Sequence, residues 1–542
     1  MKNKKDDING RRDFLKKMAL TVGGVGLGTP LEMMVRSAIY GNTIDAIANE
    51  NGINPRRYLY IQQNRAPSRW FFDLPLALDD ADWSKMQRNN SGLVTRFVGS
   101  SSLYNEAIYE TWRDPQSGLR LPWLWQFRVA GVGGGTRPMT ELLESMMSIR
   151  GVNVANIAHN SASMLHFHPA GLSQSITSFA ADHGGFPIPC INVGSIAHSF
   201  SSNKGLSHVD LPRSGVNHIE ALMKPLQNVS NLYTNQKNSV KSIVQVARDI
   251  FDQLAIDRHV GHQNGKAAKE SAEEMISSGL AGTGPAEYTA LVAKYNDLIS
   301  RTVAGTYLGI NDRPVRGTPE QMRSSGTPQT LTDFRTTIRS TTTVDNLASH
   351  FASAEYILTK NISNSVVISP GTLSSLGLQG RSTFALDSHD DGSFSCTMFL
   401  TFYYLSYGAC LIELIDSLKS AGIYNDTVID LCGEFGRNPR NDDGGSDHSD
   451  MANNNTFFSG AISGPHFIGN IRTVQASGNS RYTGTYGYQA NNPGVGLLSI
   501  RHFTSTLATM LRTPNPFSTP SLIEEKNGVI TPLLPRGKIV DN

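Results

Sequence analysis

The sequence predicts an α/β protein with a mostly parallel central sheet and a helical insertion, on three observations. A strand at residues 428–432 follows a long apolar helix at 398–419, and another short strand stands near the start of the folded part at 58–62. Strands alternating with helices of that length call for a parallel sheet. Polar clusters rich in Asp, Glu and His directly follow strand candidates, where ligands sit in such folds. A long polar stretch from about 199 to 344 carries helical periods at 240–254 and 288–303, and its middle, 263–284, is charged and rich in Gly and Ala. That stretch reads as an insertion or cap.

The chain begins with a basic segment, Lys2, Lys4 and Lys5, followed by Gly10-Arg11-Arg12-Asp13-Phe14-Leu15-Lys16-Lys17 and a short Gly-rich apolar stretch. An Arg pair followed by x-Phe-Leu-Lys is the address read by the twin-arginine translocase. The apolar stretch is too short and too rich in Gly to anchor in a membrane. Residues 1–41 are therefore expected to be an export signal that engages the translocase, with a periplasmic or extracellular destination and a mature start between Ala38 and Ala48.

Composition is that of a globular protein, 39% apolar and 17% charged. The formal charge of +2 comes from the leader: without residues 1–41 the chain holds 40 basic and 42 acidic residues. Nothing in that balance suits nucleic acid. Cys190, Cys396, Cys410 and Cys432 have no CxxC spacing, so buried free thiols are expected rather than a zinc ribbon or a disulfide scaffold.

Along the folded part, a helix is expected at 139–150, then a strand at 152–158 that runs into His159-Asn160-Ser161-Ala162-Ser163. The run Gly131-Val132-Gly133-Gly134-Gly135 lacks the Lys-Ser/Thr of a phosphate loop and reads as a turn. Trp112, Trp123 and Trp125 read as packing residues. A further strand is expected at 382–386. The helix at 398–419 is interrupted by Thr401, Ser406, Gly408, Glu413 and Asp416, so it reads as a buried core helix closed by Gly422 and not as a membrane span.

Three clusters carry candidate chemistry: Asp387-Ser388-His389-Asp390-Asp391 after the strand at 382–386, Glu434-Phe435-Gly436-Arg437 after the strand at 428–432, and Asp447-His448 in the loop beyond. Carboxylate oxygens combined with imidazole nitrogens suit a divalent ion, zinc first, manganese or calcium next. The metal candidates are Asp387, His389, Glu434, Asp447 and His448.

Together with the Arg-pair leader, Asp387-x-His389, Glu434-Phe435-Gly436-Arg437-x-Pro439-Arg440 and Gly444-Gly445-x-Asp447-His448 resemble a large bacterial family of exported proteins within the alkaline phosphatase/sulfatase superfamily. Pro67-Ser68 after the first strand is similar to that family's Gly-Gly-Pro-Ser. The resemblance spans about 56–200 and 365–515 and is firmest over 384–448, leaving 201–364 as the insertion and 516–542 as a tail.

The resemblance implies a doubly wound alkaline-phosphatase-like sandwich with metal at the strand ends and a Ser or Thr nucleophile at a helix start. It makes Asp387 a ligand of a first metal, with His389 or Asp391 beside it and His448 completing the site, and Glu434 the carboxylate of a second. Ser161, or else Ser163, falls at the nucleophile turn, and Arg437 or Arg150 would steady charged oxygens. The implied activity is hydrolysis of small-molecule or glycan phosphate or sulfate esters. Three departures stand against it: Gln62-Gln63-Asn64 occupies the usual place of an Asp, Phe435 stands where a His would follow Glu434, and no Cys/Ser-x-Pro-x-Arg motif occurs. A non-catalytic binding or assembly protein of the cell envelope is the alternative, and a carbohydrate hydrolase using Asp387 and Glu434 is a third reading.

Overall fold

Eight short segments pair into one sheet: β1 (Arg57–Gln63), β2 (Met146–Val152), β3 (Cys190–Val193), β4 (His208–Leu211), β5 (Ser365–Ile368), β6 (Thr427–Gly433), β7 (Asn453–Phe458) and β8 (His466–Ile468). Their order is β4-β3-β5-β1-β6-β7-β2-β8. Every strand runs the same way except β7, which is antiparallel to both its neighbours. The computed structural model describes residues 54–86, 92–99, 104–212, 217–222, 283–305, 314–315, 329–330, 342–370, 376–378, 381–384, 386–387, 389, 393–440, 445–474 and 485–540, apart from 170, 185, 187, 196 and 197. The Arg-pair leader, the helical period at 240–254, nearly all of the charged stretch 263–284, and Ser388, Asp390 and Asp391 lie outside these residues.

The central strands are buried on both sides, as expected of a parallel sheet covered by helices. Leu59 and Ile61 of β1 join one apolar cluster with the helices α2 (Thr283–Ala304), α3 (Thr342–Thr359) and α4 (Ser393–Ser420). Tyr58 and Tyr60 join the opposite cluster, with α1 (His159–Phe167) and α5 (Ile500–Met510). Alternate residues of one strand thus feed two cores, the period of two that a pleated strand imposes. The protein is a mixed α/β structure with a large, mostly parallel central sheet.

Within 201–364, β4 joins the central sheet, α2 and α3 line one of its faces, and α3 leads directly into β5. The segment after 516 forms a hairpin, Ile523–Lys526 with Val529–Pro532, and Glu525 there pairs with the buried Arg56 at the mouth of β1. Among the described residues no helix is long and apolar enough to cross a membrane.

Three local expectations are corrected. The stretch expected as a helix at 139–150 is a 3₁₀ turn, Met139–Ser145, followed by β2, and 153–158 is a loop rather than a strand. All seven residues of β2 are buried, Ser148 and Arg150 included, so no alternation of apolar and polar residues marks it as a strand. The strand before Asp387, Arg381–Phe384, pairs with Leu376–Leu378 in a small hairpin and not with the central sheet. Other local expectations hold. Gly422 ends α4 with φ +71°, and the glycine run after 130 turns between two paired strands. Trp125 is buried against Phe72, and all four cysteines are free and buried.

Candidate metal centre

The carboxyl ends of β1, β2 and β6 open on one side of the sheet, and each delivers part of a polar cluster. After β6 the chain continues through Glu434 and Phe435 into a two-stranded ladder, Gly436–Pro439 against Ser446–Ser449, in which Arg437 faces His448 and Asn438 faces Asp447. The ladder lies so close to the loop before β7 that a Cβ on Gly436 would meet the backbone carbon of Ala452 at 2.2 Å. This spacing requires the Gly of Glu-Phe-Gly-Arg.

After β2, the Asn153 side chain accepts a bond from Ala155 N and the Asn156 side chain one from Ala158 N, both 2.7 Å. These two side-chain turns set the start of α1, whose first residue is His159. Its Nδ1 meets Glu434, and its Nε2 lies 3.0 Å from Asp387 Oδ2. The other oxygen of Asp387 faces two further imidazoles: His389 Nε2 at 3.1 Å and His448 Nε2 at 3.5 Å, which are 2.7 Å from each other. Asp447 Oδ1 stands 3.3 Å from His389 Nδ1. Arg437, with only 1% of its side chain exposed, donates to the same Asp387 oxygen and to the carbonyls of Arg65 and Ala66. Those two residues take φ of 68° and 43°, so the chain leaving β1 adopts a left-handed turn that presents its carbonyls to Arg437.

Charge follows geometry. Burial alone would raise Asp387, but the bonds from His159 and His448 and the Arg437 guanidinium outweigh it and hold the carboxyl well below its usual range. For His159, burial favours the neutral ring, yet the hydrogen bonds to Asp387 and Glu434 and their charges prevail, raising it to about 9. His389 is lowered, first by burial and then by Arg437.

The donor types suit a divalent ion, although the ring nitrogens of His389 and His448, 2.7 Å apart, stand closer than two ligands of one ion. Ligands bound at about 2.0–2.2 Å around a tetrahedral ion stand about 3.3–3.6 Å apart. The triangle of Asp387 Oδ1, His389 Nε2 and His448 Nε2 has edges of 2.7, 3.1 and 3.5 Å. His159, Asp387 and His448 likewise offer ligand atoms within 4.8 Å of one another.

The structure thus brings together Asp387, His389, Glu434, Arg437, Asp447 and His448, and adds His159, which sequence reasoning passed over. Its signal was available: it is the first polar residue after an apolar strand and opens a helix. The serines lie differently. Ser161 is exposed, while Ser163 is buried and accepts a bond from Gln62 at 2.9 Å. Arg150 is buried and donates to the carbonyls of Pro75, Leu76 and Gly469. Asp73, the first acidic residue after β1, pairs with Arg69. At the place of the missing Asp, Gln62 bonds Ser163 and Ser195, and the buried Gln63 carboxamide has no partner among the described residues.

A mixed α/β fold with a His/Asp/Glu cluster beyond its strand ends is therefore the class that structure defines. Residues 387–482, which hold every cluster member except His159, match the family described as "Protein of unknown function (DUF1501)". No curated protein matches the chain. A solved structure described as "Crystal structure of Ps i-CgsB in complex with k-i-k-neocarrahexaose" aligns over 85% of this chain and 73% of that one, at 9% identity and a TM-score of 0.26, too low to establish a common fold.

Proposed function

We propose that the chain is an exported, metal-dependent hydrolase of phosphate or sulfate esters, built on a doubly wound alkaline-phosphatase-like sandwich. The observation that carries this reading is the triangle of Asp387, His389 and His448 beyond the strand ends, with Arg437 against it.

Asp387, His389 and His448 would hold the ion, with Asp447 orienting His389 through its other ring nitrogen. A divalent ion there supplies positive charge for the non-bridging oxygens of the ester. Arg437 has one nitrogen, Nη1, without a partner among the described residues, which suits an anionic oxygen. Ala158 gives α1 no side-chain cap, so the N–H groups at that helix start also suit an anion. Phe435, with ring centroids 4.2 Å from His448 and 4.9 Å from His159, walls the cluster from the core side. Ser161, exposed in the first turn of α1, remains the proposed nucleophile. The Arg-pair leader supports export by the twin-arginine route.

One observation favours a second reading, a non-catalytic binding protein. Arg437 and His159 already pair with Asp387 and Glu434, so much of the cluster's charge is balanced without an ion. Turnover of aryl phosphates and aryl sulfates with zinc, manganese or calcium separates the two. The hydrolase reading expects turnover that disappears in His448→Ala and survives in Cys432→Ala; no turnover with any of these ions favours the binding protein.

A further inference from the structure

We propose that His198, His208 and Asp210 form a second divalent-metal site, zinc by donor type, on the edge of the sheet and separate from the cluster around Asp387. His208 and Asp210 stand two apart on the edge strand β4, so their side chains leave the same face. Their register partners in β3 are Cys190 and Asn192. His208 Nε2 lies 3.1 Å from Asp210 Oδ2, and Asn192 Nδ2 donates to Asp210 Oδ1 at 2.7 Å. Asn192 thereby fixes the carboxylate with one oxygen and leaves the other turned to the imidazole, the supporting role that partners of metal ligands play.

The loop after β3 returns His198 to this pair, with its ring 5.1 Å from that of His208. Ligand atoms of all three residues lie within 4.8 Å of one another. The His198 Nδ1 is buried without a hydrogen-bond partner among the described residues, while Nε2 is 3.3 Å from Thr177 Oγ1. A buried ring nitrogen left without a partner is costly, and an ion is one partner that removes the cost. Phe167 and Phe200 pack against His198 and leave the Asp210 side open to solvent.

Two imidazoles and one carboxylate match the ligand types of a zinc site with room for water. The site shares no residue with the first. β4 is three places from β1 in the sheet, about 14 Å at the usual strand spacing. An ion here would tie the loop after β3 to an edge strand whose outer side has no sheet partner among the described residues. The inference stands whether or not the protein hydrolyses esters.

Equilibrium dialysis of the full-length chain against micromolar zinc tests it. His208→Ala and His198→Ala are each expected to bind about one zinc fewer than the unaltered chain, and His208→Ala combined with His448→Ala to lose both ions. If His208→Ala loses its native circular dichroism, Asp210→Asn carries the test. It keeps an oxygen for Asn192, and at least a tenfold weaker second binding step is expected. Zinc binding by His208→Ala or Asp210→Asn equal to that of the unaltered chain overturns the proposal.

Discussion

Arg437 and His448 face each other across the ladder formed by Gly436–Pro439 and Ser446–Ser449. One hairpin therefore delivers both the guanidinium and an imidazole to the two-oxygen carboxylate of Asp387. The cluster depends on the seating of that hairpin as much as on its ligands.

Gly436→Ala tests the seating. Its Cβ would stand 2.2 Å from the backbone of Ala452, and backbone cannot swing aside as a side chain can. The expected cost is about 1–3 kcal/mol in urea unfolding, accompanied by weaker zinc binding, because Arg437, Asp447 and His448 move together. Full stability with unchanged zinc affinity would show that the ladder does not set the site.

Asp387→Asn removes the carboxylate on which three imidazoles and Arg437 converge. Zinc binding at this site should vanish. Stability should fall by about 3–5 kcal/mol, since Arg437 is left as a buried cation without its carboxylate. Elemental analysis and chemical denaturation of the variant check the two parts separately.

Glu434→Gln leaves the three proposed ligands in place and weakens only the group that meets His159 Nδ1. Zinc affinity should drop by up to about 10-fold with the fold intact, because Glu434 acts on the ligand Asp387 only through His159. Affinity within error of the unaltered chain would remove Glu434 and His159 from the site.

Stability should also carry a pH dependence from within β6. Burial raises Asp430 to about 7, and Tyr58 Oη donates to it at 2.9 Å. Its folded value lies above the ordinary 3.8, so the folded chain holds the extra proton. This contribution to stability is complete below about pH 4 and is lost as pH rises through about 7. Urea unfolding at pH 5 and pH 8 should show a decline that Asp430→Asn flattens; an identical slope in the variant would assign the decline elsewhere.

Much of this was legible in the sequence, and the exceptions have physical causes. β1, α4 and β6 announced themselves through apolar runs of the right length. β7 did not, because its first half is Asn453-Asn454-Asn455, which reads as a loop. All three are fully buried, with the Asn455 amide reaching Cys432 Sγ and that of Asn454 reaching the Asp73 carbonyl. The cluster around Asp387 was legible from residue types following strands, although the strand before Asp387 proved to be a hairpin arm. His159 was missed because a helix start directs attention to its hydroxyls, whereas here the first helical side chain reaches across to Glu434 and Asp387. His198 and His208 stand ten residues apart in the sequence, and only the return of the chain from β3 to β4 joins them.

The most direct test of the central claim is anomalous diffraction at the zinc edge from a zinc-loaded crystal of the protein. A peak is expected about 2.0–2.2 Å from Asp387 Oδ1, His389 Nε2 and His448 Nε2. A zinc-saturated crystal with no peak at that position, and Arg437 still seated on Asp387, would contradict it.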